Sequence, residues 1–220
     1  MFKAAIFDLD GTLLDSQLDL ERACNYALSK YNLPKIDSQK YKLMLGSGRQ
    51  KLIESIVGEF FGYDQKEVFD NFLEYYNEFY DSHMFDNTKP FDGIMDMLDV
   101  LNSHNVITAV LSNKPHDFTE KLAQRFFKGK VKFVSGLKDG YKAKPDPASL
   151  LEMIDDLKIK KEKCIYVGDT EIDIRTAKNA GVKSLGVLWG FRTQSLLERE
   201  EADFIASDMN EMIDIILKKI

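Results

Sequence analysis

The chain reads as an α/β protein: a parallel sheet with a block of helices inserted after its first strand. Three observations carry that reading. An apolar run, Ala4-Ala5-Ile6-Phe7, stops abruptly at Asp8-Leu9-Asp10-Gly11-Thr12. Helical periodicity without a convincing strand fills residues 15 to about 87. From about Lys89 onward, short apolar runs alternate with amphipathic helical patterns, the texture of βα units and a parallel sheet.

The first run is too short for a helix and ends at a turn signal, so it predicts a buried strand. In the block that follows, Leu20, Ala23, Cys24, Ala27 and Tyr31 share one helical face. Leu52, Ile53, Ile56, Val57 and Phe60 share a second. Val68, Phe69, Phe72, Leu73, Tyr76, Phe79 and Tyr80 form a third stripe, assigned to a helix-bundle core rather than a ligand cleft. Pro34 and Gly46-Ser47-Gly48 separate these helices. Residues 106–111, 131–134, 164–167, 185–188 and 204–206 predict further buried strands. The first strand has no sheet of its own unless it joins these later ones. Residues 1–14 and 88–220 therefore form the expected core, with 15–87 as the insertion.

A chain of 220 residues buries a full core with room for an insert. The net charge of -6 supplies no broad basic field, which excludes nucleic acid and anionic membranes as expected partners. Cys24 and Cys164 are far apart and form no Cys-x-x-Cys pair, which argues against a disulfide framework or a zinc site. The first strand begins close to Met1, and no apolar stretch approaches the ~20 residues of a membrane span. The expectation is a soluble, cytoplasmic protein, monomer or homodimer.

In an open parallel sheet, ligands bind at the carboxyl ends of the strands. Period-2 geometry points Asp8 and Asp10 the same way off the first strand. Two adjacent carboxylates repel, and a divalent metal with oxygen ligands is the natural relief; a solvated acidic turn is the plainer alternative. Other loops bring Ser112-Asn113-Lys114, then Lys142-Ala143-Lys144-Pro145-Asp146-Pro147, then Gly168-Asp169-Thr170-Glu171-Ile172-Asp173 to the same edge.

That ordered set resembles the haloacid-dehalogenase-like phosphatase superfamily, over essentially the whole chain. Within it, Asp8-Leu9-Asp10-Gly11-Thr12-Leu13, Pro90-Phe91-Asp92-Gly93 and Lys144-Pro145-Asp146-Pro147 look most like the phosphoglycolate-phosphatase-like branch. The resemblance implies a Rossmann-like core with the helical insert as a mobile cap. It also implies a Mg²⁺-dependent phosphatase acting on a small phosphorylated metabolite, with 2-phosphoglycolate as the first expectation. A β-phosphoglucomutase-like phosphotransferase and a pyrophosphatase of the same superfamily are the alternatives.

Carried over residue by residue, the resemblance makes Asp8 the nucleophile, forming an aspartyl-phosphate. Asp10 protonates the leaving oxygen and then deprotonates water. Asp8, Asp169 and the backbone carbonyl of Asp10 are the expected Mg²⁺ ligands. Lys144 places positive charge against Asp8 and the transferring group. Ser112 and the Asn113 N–H hold phosphoryl oxygens, although Ser112 also suits a helix N-cap, with Asp117 the better cap by position. Thr12, grouped with the phosphate-binding residues, is expected to hydrogen-bond within the first loop, with a purely structural role as the alternative. Asp173 either fixes a metal water or Lys144, or occupies the favourable first turn of a helix. Substrate choice is expected in the insert, at Arg49 after Gly46-Ser47-Gly48, for a carboxylate or second phosphate. Arg192 and Lys142 are expected on the surface, and His83, His104 and His116 receive no role.

Overall fold

The computed structural model describes residues 1–217. In chain order it contains β1 (Ala4–Phe7), β2 (Leu14–Asp15), α1 (Gln17–Ser29), α2 (Ser38–Met44), α3 (Arg49–Phe61) and α4 (Lys66–His83). These are followed by β3 (Lys89–Pro90), α5 (Ile94–Ser103), β4 (Ile107–Pro115), α6 (His116–Phe126), β5 (Phe133–Leu137) and α7 (Ala148–Leu157). The remainder is β6 (Cys164–Gly168), α8 (Glu171–Ala180), β7 (Lys183–Val187), α9 (Gln194–Arg199), β8 (Phe204–Ala206) and α10 (Met209–Leu217). No helix among the described residues is long and apolar enough to cross a membrane.

Six strands form one sheet in the order β5-β4-β1-β6-β7-β8, every described pairing parallel. The architecture is therefore α/β and Rossmann-like. β1 lies near the middle, Phe7 in register with Val110 on one side and Val167 on the other. All four of its residues are buried, as expected for a strand covered on both faces. Alternate residues define one layer of core: Ala4 and Ile6, Ala109 and Leu111, Cys164 and Tyr166 pack with Leu150, Met153 and Ile154 of α7 and with Ala177 and Ala180 of α8.

The chain separates into two compact units, one formed by Met1–Asp15 with the chain from Pro90 onward, the other by Ser16–Lys89. The second unit is helical. Phe72, Tyr76 and Tyr80 of α4 are buried, as are Leu52, Ile53, Ile56 and Val57 of α3 and Ala23, Cys24 and Ala27 of α1. The aromatic stripe is narrower than its pattern suggests, because Val68, Phe69, Leu73 and Phe79 are only half-buried. Asp19 of α1 is wholly buried there. Its carboxylate accepts from the backbone N–H groups of Asn87 (2.8 Å) and Thr88 (2.7 Å), the Asn87 amide (2.7 Å) and the Thr88 hydroxyl (2.9 Å).

Both cysteines are buried and unpaired with one another. Burial pushes the Cys24 thiol up to about 12 and Cys164 up to about 11, so neither is a poised thiolate.

Candidate active site

Asp8 is the first residue past β1, and only 5% of it is exposed. Lys144 Nζ lies 2.9 Å from Asp8 Oδ1, yet this oxygen receives no aligned hydrogen bond. Burial raises the Asp8 carboxyl to about 6 and the charge of Asp173 adds to it, while Lys144 pulls the other way.

Asp169 sits just beyond β6 and is fully buried. Its Oδ1 accepts from the Thr12 hydroxyl (2.9 Å) and its Oδ2 from the Phe191 N–H (2.7 Å). Burial, then the neighbouring Asp173 and Asp8, hold its carboxyl well above the usual range against those two donors. Gly11 (φ +83°) and Gly190 leave the room Asp169 occupies: a Cβ on either would stand 2.4 or 2.3 Å from Asp169 Oδ2.

Asp173 takes both of its sequence readings at once. In the first turn of α8, its Oδ2 accepts from Thr170 N–H (3.1 Å) and Thr170 Oγ1 (2.7 Å). Its Oδ1 meets Lys144 Nζ at 2.7 Å. The Tyr166 hydroxyl accepts from Lys144 Nζ (2.8 Å) and donates to the Leu111 carbonyl (2.9 Å). Burial opposes the charge on Lys144, but Asp173 and Asp8 outweigh it and hold the ammonium well above the usual lysine range. Asn113 clamps the segment from the side: its carbonyl accepts the Lys144 N–H (2.7 Å) and its amide donates to the Lys144 carbonyl (3.1 Å).

Carboxylate oxygens of Asp8, Asp169 and Asp173 lie within 4.8 Å of one another. Three buried acids around one point, one bearing an oxygen without a hydrogen bond, have the hard-oxygen chemistry that suits a small divalent cation. The expected ligand set contained Asp8, Asp169 and the Asp10 carbonyl; the side chain of Asp173 joins this cluster but is also committed to Lys144 and Thr170.

Several expectations are corrected. Thr12 spends its hydroxyl on Asp169, not on its own loop, and its carbonyl accepts the Trp189 indole N–H (2.9 Å). Ser112 lies within β4 and accepts the Lys114 N–H (3.2 Å); Pro115 occupies the N-cap of α6, and Asp117 makes no capping bond. Arg192 is not a surface residue: 8% of its side chain is exposed, and its Nε meets Glu171 at 2.8 Å. Lys142, by contrast, is solvated. In the helical unit, Arg49 opens α3 and its guanidinium donates to the Asn77 side-chain oxygen (2.5 Å).

Three contributors were not singled out from sequence. The Trp189–Gly190–Phe191 loop after β7 grips Thr12 and Asp169. Tyr166 orients Lys144. Lys114, near the end of β4, pairs with Asp10 Oδ2 at 2.7 Å with only 4% of its side chain exposed.

A sequence profile of haloacid dehalogenase-like hydrolases matches residues 5–187. The chain belongs to that family. It is 29% identical over 219 residues to the N-acetylmuramic acid 6-phosphate phosphatase of Pseudomonas aeruginosa, covering 97% of this chain and 94% of that protein. It is equally similar, 29% over 219 residues with 97% and 96% covered, to the phosphoglycolate phosphatase of Aquifex aeolicus. Among solved structures, a Lactobacillus delbrueckii protein provisionally described as a phosphoglycolate phosphatase superposes with a TM-score of 0.92 at 33% identity, covering 99% of each chain. The chain is thus an enzyme of the phosphatase type, on the phosphoglycolate-phosphatase-like branch of its family.

Proposed function

We propose that this enzyme is a Mg²⁺-dependent phosphatase that hydrolyses a small phosphorylated metabolite through an aspartyl-phosphate on Asp8, with residues 16–89 as its cap. The observation that carries the reading is the Asp8 carboxylate: buried at the carboxyl end of a central strand, beside a lysine, with one oxygen unsatisfied. A group so costly to bury is retained where it reacts or binds.

Asp8 attacks phosphorus, the bond from phosphorus to the ester oxygen breaks, and Asp10 gives that oxygen its proton. Asp10 then takes a proton from water as the water attacks phosphorus, and the bond to Asp8 breaks. Lys144, held by Asp173, Tyr166 and Asn113, offsets charge on Asp8 and the phosphoryl group. Ser112 accepts the Lys114 N–H, which leaves its own proton for a phosphoryl oxygen. Asp8 and Asp169, with the Asp10 carbonyl, would hold Mg²⁺, which supplies charge neutralisation between carboxylates and phosphate.

2-Phosphoglycolate is the first substrate to try, since relatives on this branch carry that name; one relative at the same identity is named for N-acetylmuramic acid 6-phosphate. Phosphate release is measured over a panel of phosphorylated metabolites with Mg²⁺, for wild type, Asp8→Asn and Arg49→Ala. Free phosphate, rather than an isomerised sugar phosphate, separates hydrolysis from phosphotransfer. The reading expects turnover lost in Asp8→Asn and on removing magnesium, and a changed ranking in Arg49→Ala. Release undiminished in Asp8→Asn refutes the nucleophile; an unaltered ranking refutes Arg49 as a selectivity contact.

A further inference from the structure

Resting on the reading above, we infer that Lys114 determines specificity: its ammonium reads an anionic group on the leaving alcohol, favouring phosphate esters of 2-hydroxy acids over esters of neutral alcohols. Its place supports this. Lys114 stands near the end of β4, the neighbour of β1, and meets Asp10 Oδ2 at 2.7 Å. Asp10 is the group that hands its proton to the leaving oxygen, so the ammonium is one carboxylate away from that oxygen.

Charge decides the rest. Asp8, Asp10, Asp169 and Asp173 gather at this strand edge in a chain of net charge -6, so a leaving group bearing a carboxylate meets repulsion unless a cation receives it. Lys144 is engaged by Asp8, Asp173 and Tyr166 on the phosphoryl side. Lys114 is a cation on the Asp10 side, paired with Asp10 Oδ2. With 4% of its side chain exposed, its field is little screened by water, and the attraction it exerts is correspondingly large. Lysine acts here as a compact point charge, suited to an anion whose orientation is set by the covalent link to phosphate.

The competing account is that Lys114 merely holds Asp10. The two differ in what a charge deletion does to substrate preference. kcat/KM is measured with Mg²⁺ for 2-phosphoglycolate and for ethyl phosphate, which has the same carbon count without the carboxylate. The comparison covers wild type, Lys114→Met and Lys114→Arg. Wild type prefers the carboxylate ester. In Lys114→Met both rates fall, but the preference falls by a further 10- to 100-fold or so, the worth of a charged hydrogen bond. Lys114→Arg, which keeps the charge, retains more of the preference than Lys114→Met. As a second readout, inhibition by glycolate weakens in Lys114→Met far more than inhibition by inorganic phosphate. A wild type indifferent to the carboxylate, or a Lys114→Met variant that slows both esters equally, overturns the inference while leaving the phosphatase reading intact. Absence of phosphate release from both esters and from the whole metabolite panel would instead strike the phosphatase reading itself.

Discussion

Asp8 and Asp19 are both carboxylates taken out of water, one at the end of a β-strand and one on a helix of the inserted unit, and their surroundings differ in kind. Asp19 accepts four hydrogen bonds from two consecutive residues, Asn87 and Thr88. Asp8 has Lys144 Nζ at 2.9 Å from an oxygen that receives no aligned hydrogen bond, and two further acids lie close by. The first arrangement satisfies a buried charge and so ties chain segments together. The second leaves the charge under-compensated, which is costly for a fold and useful for binding a cation or attacking phosphorus.

The contrast is tested most severely by removing each charge. Asp8→Asn should lower phosphate release by at least about 10³-fold, as loss of a nucleophile does, with the circular dichroism spectrum unchanged. Asp19→Ala should instead act on the fold, costing about 3 kcal/mol in urea denaturation by stranding several buried donors. If Asp19→Ala unfolds no more easily than wild type, the satisfied acid is not the tie it looks like.

The pH dependence sharpens the same comparison. Folded Asp8 keeps its proton up to about 6, above the 3.8 of an exposed aspartate, so the native state binds more protons in that window. Metal-free stability attributable to Asp8 should therefore be complete below about pH 4 and decline as pH rises through about 6, by up to roughly 3 kcal/mol. Denaturation of wild type against Asp8→Asn across pH 4 to 7 isolates that slope; parallel curves would count against it.

Mg²⁺ should relieve the crowding among the acids. At a hundredfold excess over Kd it should raise the wild-type melting temperature by about 5–10 °C near neutral pH, and Asp169→Asn should lose the shift. The smallest effect is expected of Tyr166→Phe, which removes one hydrogen bond to Lys144 and one to Leu111, worth about 1 kcal/mol in stability, with a modest fall in kcat.

Much of this was legible in the residues. The strand before Asp8, the turn at Gly11 and the βα alternation follow from local pattern, and the later strands fall within a few residues of their apolar runs. Lys144 was found because a lysine between Ala143 and Pro145 completed an ordered set of strand-end groups. Lys114 was adjacent to Ser112 and Asn113 but received no role, since a lysine reads as solvated until its partner is known, and Asp10 is 104 residues away. The same distance problem hid Asp19, whose donors lie 68 and 69 positions on. It hid the donor from Phe191 to Asp169, and it made Arg192 look like a surface residue when Glu171 holds it. Periodicity reports which face is inward; it carries no information about which distant polar groups meet there.

Gly190 shows how tightly that meeting is set. No left-handed backbone demands a glycine at this position; only the volume claimed by Asp169 does. A single methyl group at residue 190 would push directly on that carboxylate. Gly190→Ala would therefore act by bulk alone, changing no charged side chain: the added methyl has room only if the Asp169 carboxylate gives way.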